Sequence, residues 1–174
     1  TIDLSGAEIE LVDVSEREYR LSVALREYVA THREIDIVLI DCPPSLGLVT
    51  LNVMVAANEV VIPIQAEYYA LEGLSQLWRT VERIGADLNP GLQVSGMLLT
   101  MADKRTRLSE EVESEVRSHF PEHTFETVIP RSVRISEAPS YGQTVITYDG
   151  KNVGAIAYRK AALELSQRIP SDAR

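Results

Sequence analysis

The sequence predicts an α/β domain, in which a mostly parallel β-sheet carries helices on both faces. The first observation is that apolar runs of strand length alternate with longer segments of helical periodicity. The second is that the first run, at 35–40, is β-branched and nearly continuous, as is typical of a strand buried on both faces. The 174 residues are 45% hydrophobic and 25% charged, so we expect one domain over 1–174.

The remaining elements follow in order along the chain. Further strands are predicted at 60–64, 94–100 and 125–129, where Pro130 ends the run, with a short fifth strand at 144–147. Helical spacing of apolar residues predicts helices at 16–32, 46–57, 69–87, 107–119 and 152–168. The helix at 46–57 is almost wholly apolar, so we expect it to be largely buried.

Charge and composition exclude several classes of protein. The net charge of −9 lies entirely in residues 1–100, and this acidity argues against indiscriminate coating of nucleic acid, while a local basic patch stays possible. No apolar run is long enough to span a membrane, and no secretory leader is expected. The single cysteine, Cys42, excludes a disulfide framework, favours a reducing cytoplasmic setting, and is expected to be a small buried filler.

The most informative segment is 36–47, where a hydrophobic strand ends in Asp41 and a Pro-Pro loop leads into a helix. Ligands of open parallel sheets bind beyond the carboxyl ends of the strands. An aspartate there can hold Mg²⁺ through water beside nucleotide phosphates. An aspartate before proline and serine is also common turn chemistry, so Asp41 can equally be a turn cap. Spacing alone leaves both interpretations open.

The segment 38–47, Val-Leu-Ile-Asp-Cys-Pro-Pro-Ser-Leu-Gly, resembles the Walker B and switch II region of the ParA/Soj family of partition ATPases. This family is the deviant Walker-A group of P-loop NTPases. The segments 65–74, 98–101 and 128–142 match further family motifs in the same order, so the resemblance covers nearly the whole chain. It implies a partial P-loop NTPase-like fold.

One family motif does not occur in these residues. The family begins with a strand and a loop of the form K-G-G-x-G-K-[ST], whose amides and lysines grip the phosphates. The first lysine of this sequence is Lys104, and no such loop is present. We therefore expect the chain to be the C-terminal two-thirds of a ParA-type ATPase, inactive alone. A fragment is favoured over a natural short relative that lost its catalytic half-site.

The resemblance implies ATP and Mg²⁺ as cofactors, a nucleotide-dependent homodimer, nonspecific DNA binding, a centromere-binding ParB-type partner, and a nucleoid-associated place in the cytoplasm. It implies no complete catalytic set here. Its site residues are Asp41 (Mg²⁺, through water), Pro43, Pro44 and Ser45 in Walker B and switch II; Thr100, Met101, Pro130 and Val133 at the adenine; and Arg105 and Arg134 on DNA.

The residues also allow plainer interpretations. Met101 and Val133 can be core residues, and the two arginines can be solvated charges paired with Glu110 or Glu111. A stripe of apolar and aromatic residues can face a partner or the core; it comprises Tyr68, Tyr69, Leu71 and Leu74.

Two other functions compete with a partition ATPase. One is a noncatalytic DNA-binding and dimerisation module derived from the family. An in-frame phosphate loop in the upstream coding sequence favours the ATPase, and a start codon at Thr1 favours the module. The other is a MinD-like division-site ATPase. It ranks last, because Pro170 breaks the final helix and no basic amphipathic face follows.

Overall fold

The computed structural model describes residue 6 and residues 10–43, 45–67 and 70–169. These residues have an α/β fold with a parallel sheet and helices. The strands are β1 (Glu59–Gln65) and β2 (Gln93–Thr100). The helices are α1 (Arg20–Thr31), α2 (Leu48–Ala56), α3 (Ala70–Asp87), α4 (Arg107–His119), α5 (Val133–Glu137), α6 (Val145–Tyr148) and α7 (Val153–Arg168), with 3-10 helices at Arg17–Tyr19 and Ala138–Tyr141. No described helix is long and apolar enough to cross a membrane.

The chain divides into two compact units, the first drawn from 1–60 and 79–93 and the second from 61–78 and 94–174. In the first unit, α1 packs on α2 through the buried side chain of Asn52. Its amide donates to the carbonyl of Arg17 (2.9 Å) and accepts from the amide of Leu21 (3.1 Å). Because a buried amide must be hydrogen-bonded, Asn52 fixes how the two helices meet. The helices predicted at 16–32 and 46–57 are confirmed.

The prediction of a doubly buried strand at 35–40 is wrong. The segment has no regular secondary structure, and Ile37 and Leu39 are 70% and 87% exposed. An extended segment becomes a strand only when its backbone is hydrogen-bonded to a neighbour. Within the described residues no strand pairs with 35–40, since β1 pairs with β2. The apolar pattern thus indicates that 35–40 suits the interior of a sheet. It does not show that a neighbouring strand is there to pair with it.

The strands predicted at 60–64 and 94–100 are confirmed as β1 and β2, which are parallel. Gln93 donates its backbone amide to the carbonyl of Asn58 (2.9 Å), and Ala66 donates to Thr100 (3.0 Å). The two bonds keep a nearly constant offset between the paired positions, which defines a parallel ladder. Parallel pairing places the carboxyl ends of both strands at the same edge of the sheet.

A third segment runs beside β2 but is not a continuous strand. Parallel bridges pair Met97 with Thr124 and Ala102 with Pro130. Between the bridges, the backbone amides of Glu126 and Thr127 donate to the Glu164 carboxylate (2.8 and 3.0 Å). The strand predicted at 125–129 is therefore interrupted: the amides of Phe125 and Ile129 donate to Met97 and Leu99 on β2 (both 2.9 Å), but the amides of Glu126 and Thr127 between them are bound by a side chain on α7.

The short strand predicted at 144–147 is also wrong, because these residues begin helix α6. Thr144 accepts the backbone amide of Thr147 on its hydroxyl (3.3 Å), and Thr147 accepts the amide of Thr144 in return (3.2 Å). This reciprocal pair is a capping box. It stabilises a helix start that outweighs the β-propensity of the Thr-Val-Ile-Thr run. Helix α5 and the 3-10 helix after it were not predicted.

The core of the second unit lies where α7 covers β2 and the third segment. Phe125, Ile129, Ala157 and Ala161 are buried against one another. Arg168, near the end of α7, donates to the carbonyl of Thr124 (2.9 Å) and lies over the Phe125 ring (4.6 Å to the centroid). It thereby fastens the helix to the sheet. The helices predicted at 69–87, 107–119 and 152–168 are confirmed as α3, α4 and α7.

The Glu164 carboxylate anchors the same helix. Burial raises the pKa of this group, but the hydrogen bonds from Thr127 and Glu126 and the contact with Arg168 outweigh burial and lower the pKa. The charged form is therefore favoured in the folded chain. Glu164 thus satisfies two backbone amides of the interrupted segment with charge-assisted hydrogen bonds.

Candidate nucleotide and DNA sites

The predicted magnesium residue, Asp41, lies in the irregular segment that leads into α2. Its side chain is exposed, as are Pro43 and Ser45, while Pro44 lies outside the described residues. The Thr50 hydroxyl donates to the carbonyl of Ser45 (2.6 Å), which ties this turn to the first turn of α2. Asp41 is thus presented to solvent immediately before an anchored helix start.

The described residues around Asp41 do not form a metal centre of their own. Among the described residues, no three or more His, Cys, Asp or Glu side chains are grouped to hold a metal. Mg²⁺ in nucleotide sites usually keeps several waters and takes only one or two carboxylates besides the phosphates. A single exposed carboxylate is compatible with that role.

Cys42, beside Asp41, is exposed, so the expectation of a buried filler is wrong. Partial desolvation and the neighbouring Asp41 carboxylate raise the pKa of its thiol. A thiol with a raised pKa stays protonated at neutral pH and is a poor nucleophile. The protonated thiol of Cys42 is therefore favoured at neutral pH.

Three of the four residues predicted at the adenine lie at one edge of the sheet. Thr100 ends β2, Met101 follows it, and the bridge between Ala102 and Pro130 brings Pro130 to the same edge. Val133 begins α5 and is 72% exposed, so it is not a core residue. The side chains of Met101 and Val133 are thus both accessible, as a ligand contact requires.

Met101 has an unusual backbone conformation, with φ at 54°. A non-glycine residue in the left-handed region costs free energy, and such residues occur often at ligand sites. The neighbouring Thr100 is held by its hydroxyl, which donates to the carbonyl of Ile64 on β1 (3.2 Å). Pairing with the third segment resumes directly after Met101, where the Ala102 amide donates to the carbonyl of Ile129 (3.1 Å).

A cleft of about 350 Å³ lies between β1 and α3, and none of the four predicted adenine residues lines it. Leu74, which does line it, is buried, so this member of the predicted stripe is a core residue. Tyr68 and Tyr69 lie outside the described residues, and the side chain of Leu71 is likewise not described.

Arg105, predicted to contact DNA, projects from the loop after β2 and its side chain is 87% exposed. Its Nε and Nη2 donate to the two carboxylate oxygens of Asp103 (2.9 and 2.7 Å). These bonds hold the pKa of Asp103 well below its usual range. The expected partners Glu110 and Glu111 are thus not the ones found, and Glu111 pairs with Arg107 (3.1 Å).

Arg134, the second predicted DNA contact, lies on α5 and is half exposed. Its Nη1 donates to Glu137 (3.0 Å), its Nε lies 3.7 Å from Asp149, and its guanidinium lies 5.9 Å from the Tyr148 ring centroid. The hydrogen bond to Glu137 is the main cause that raises the pKa of Arg134, so the guanidinium stays charged. Both arginines are accessible, and both have carboxylate partners.

Comparison with known proteins identifies the family of this chain. A family model described as an AAA domain matches residues 1–94. The chromosome partitioning protein ParA of Myxococcus xanthus (strain DK1622) is 51% identical over 168 residues, which is 97% of this chain. The chain belongs to the ParA/Soj family. The sporulation initiation inhibitor protein Soj of Bacillus subtilis (strain 168) is also 51% identical, over 95% of the chain.

The chain spans only part of these ParA/Soj relatives, 58% of the Myxococcus protein and 64% of the Bacillus protein. Among solved structures, cobyrinic acid a,c-diamide synthase from Mycobacterium smegmatis is 36% identical with a TM-score of 0.80, covering 99% of this chain and 62% of that one. The cell division ATPase MinD of Pyrococcus furiosus, at 22% identity and a TM-score of 0.68, shares the fold.

Sequence reasoning missed the carboxylates that form ion pairs with Arg105 and Arg134. Asp103 lies two residues before Arg105, and Glu137 lies three residues after Arg134 on the same helix. The i,i+3 spacing of Arg134 and Glu137 is a usable signal for an ion pair. Asp149 had no such signal, because only the fold of α6 brings it to Arg134.

Proposed function

We propose that this chain is the larger part of an ATP-dependent DNA-partition ATPase of the ParA/Soj type. The proposal rests on the 51% identity to a chromosome partitioning ParA along 97% of the chain. Nucleotide use is supported by a relative of known structure, a cobyrinic acid a,c-diamide synthase at 37% identity that holds an ATP analog and magnesium. The cargo is a chromosome or a plasmid.

In this proposal the nucleotide is held by residues at the ends of strands and turns. Asp41 holds Mg²⁺ through water, and the switch II turn consists of Pro43, Pro44 and Ser45. The residues at the adenine ring are Thr100, Met101, Pro130 and Val133. Bound Mg²⁺ would neutralise phosphate charge. The backbone amides and lysines that grip the phosphates come from a loop that these 174 residues do not contain.

DNA binding requires two copies of the chain. ATP brings two subunits together, and each contributes Arg105 and Arg134 to a surface that neutralises phosphates without reading bases. Because the net charge of one chain is −9, binding by a monomer is weak and the paired surfaces supply the avidity. A centromere-bound ParB-type partner stimulates hydrolysis and releases the dimer from the nucleoid in the cytoplasm.

The role of the arginines is tested by their effect on salt dependence. In the intact, ATP-bound protein, Arg134→Ala should weaken binding to all duplex sequences alike. It should also flatten the slope of log affinity against log salt by about one unit for each phosphate that the variant no longer neutralises. Titration of labelled duplexes of different sequence at several salt concentrations measures both quantities.

Arg26→Ala is the matched control, since Arg26 is exposed on α1 and donates only to the Ser22 carbonyl among the contacts described (3.3 Å). It should leave affinity and slope unchanged. An unchanged slope in the Arg105/Arg134 double variant would mean that the two arginines do not contact DNA. A loss of dimerisation instead would make them interface residues.

A further inference from the structure

The ion pair at Arg105 is built into a fixed turn. The Asp103 backbone amide donates to the hydroxyl of Ser109, which is buried (3.1 Å), and the Thr106 hydroxyl and amide donate back to the Asp103 carbonyl (both 3.0 Å). The Arg105 backbone amide also donates to the Asp103 carboxylate (3.0 Å). The Asp103 side chain is 18% exposed, so its carboxylate is a pre-positioned acceptor for the guanidinium.

The ion pair at Arg134 is held from a second side. The Tyr148 hydroxyl donates to the same Glu137 oxygen that Arg134 contacts (3.5 Å). Tyr148 is itself stacked on Tyr141, with ring centroids 5.0 Å apart. Asp149 adds a second negative charge near the guanidinium. Both arginines proposed to contact DNA are therefore already engaged by acids of their own chain.

We propose that Asp103, Glu137 and Asp149 are affinity-setting residues that compete with DNA phosphates for Arg105 and Arg134. This inference rests on the proposed DNA-binding function and assigns what regulates that site. A phosphate that approaches either arginine must share it with a carboxylate or displace that carboxylate. Each acid thus lowers the affinity for DNA below what the arginines alone would give.

The competition also favours a dense polyanion over small anions. A carboxylate of the same chain is present at high effective concentration, so a single free phosphate ion does not displace it. Duplex DNA presents about one negative charge per 1.7 Å of its axis, and it offers several phosphates to both arginines at once. The ion pairs therefore discriminate against mononucleotides and inorganic phosphate at this surface.

Neutral variants of the acids test the proposal in the intact, ATP-bound protein. Asp103→Asn and Glu137→Gln should each raise the affinity for a random-sequence duplex about two- to fivefold, the range for exposed ion pairs. The slope of log affinity against log salt should steepen by up to about one unit. In the wild type, a carboxylate that DNA displaces takes up a cation, which offsets part of the counterion release, and the neutral variants have no such carboxylate. Anisotropy titrations at several salt concentrations measure both quantities, and thermal unfolding checks that the variants fold.

Glu111→Gln is the matched control, because it makes the same charge change in an exposed pair with Arg107 near the same loop. It should change affinity by less than about 1.5-fold, as a minor long-range screened effect. Equal gains in Glu111→Gln and Asp103→Asn would overturn the proposal in favour of net charge alone. Weaker binding by Asp103→Asn and Glu137→Gln would overturn it too, since the acids would then position the arginines for DNA.

The proposed function fails separately from this inference. If Arg105→Ala and Arg134→Ala leave DNA affinity unchanged, the two arginines do not contact DNA, and the inference falls with that part of the proposed function. If those variants weaken binding while the neutral acid variants give no gain, the arginines contact DNA and only the competition is wrong. The gain of Asp103→Asn should disappear in the Asp103→Asn/Arg105→Ala double variant, because the two residues are coupled.

Discussion

Hydrolysis of Mg-ATP by the 174-residue chain is expected to stay at the rate of a buffer control, even at saturating DNA. Preorganised amides, lysines and metal provide most of the stabilisation of a transferring phosphoryl group. The chain has no lysine before Lys104 and no phosphate-binding loop, and Asp41 supplies only a carboxylate. A steady-state phosphate-release assay on rigorously purified chain measures the rate.

The intact protein is the positive control for this assay. There Asp41→Ala should lower turnover by about 100-fold or more, in line with the loss of one major electrostatic group from such a site. Turnover by the 174-residue chain that survives purification and disappears in Asp41→Ala would contradict the expected inactivity. It would mean that the chain binds the phosphates of ATP without the phosphate-binding loop of the family.

Gly96→Ala is expected to cost about 2–3 kcal/mol of folding free energy, a typical value for overpacking a rigid core. Gly96 lies in β2, where an added Cβ would overlap the Phe125 ring, with Cδ2 at 2.7 Å, and crowd the carbonyl oxygen of His123 at 3.2 Å. The ring cannot move aside freely, because Phe125 is almost fully buried beneath α7. Denaturant unfolding followed by circular dichroism measures the change in stability.

Gly73→Ala is the control, since it makes the same chemical change in helix α3, where no described atom beyond its chain neighbours and the helix's own backbone lies within 4 Å of the added Cβ. Alanine is preferred over glycine inside a helix by about 0.5–1 kcal/mol, so this variant should be as stable as the wild type or more stable. Equal, small effects in both variants would show that Phe125 does not pack tightly against β2.

The sequence predicts helices of this fold well and strands less well. Helices α1, α2, α3, α4 and α7 form where apolar spacing places them, because a helix makes its own backbone hydrogen bonds. A strand depends on a neighbour, and the segment 35–40 has the right residues without one among the described residues. At 144–147, two threonines with high β-propensity cap a helix instead. Predicting this helix requires knowledge of their reciprocal hydroxyl contacts.

The sequence proposed the residues of the candidate site, but it did not predict their ion pairs. The resemblance to the ParA/Soj family proposed Met101 and Pro130, and the parallel bridge between Ala102 and Pro130 places both at one sheet edge. It did not reveal the left-handed conformation of Met101. Nor did it reveal that Asp149 reaches Arg134, because nothing in linear sequence relates residues from α5 to the end of α6.

The most direct test of the central claim is the nucleotide dependence of DNA binding in the intact protein. Affinity for a random-sequence duplex would be measured with Mg-ATP, with Mg-ADP and without nucleotide, for the wild type and the Arg105→Ala/Arg134→Ala variant. A ParA-type partition ATPase should bind tightly and with salt sensitivity only with Mg-ATP, and the double variant should bind far more weakly. Equal affinity in all three nucleotide states, or wild-type affinity in the double variant, would contradict this claim.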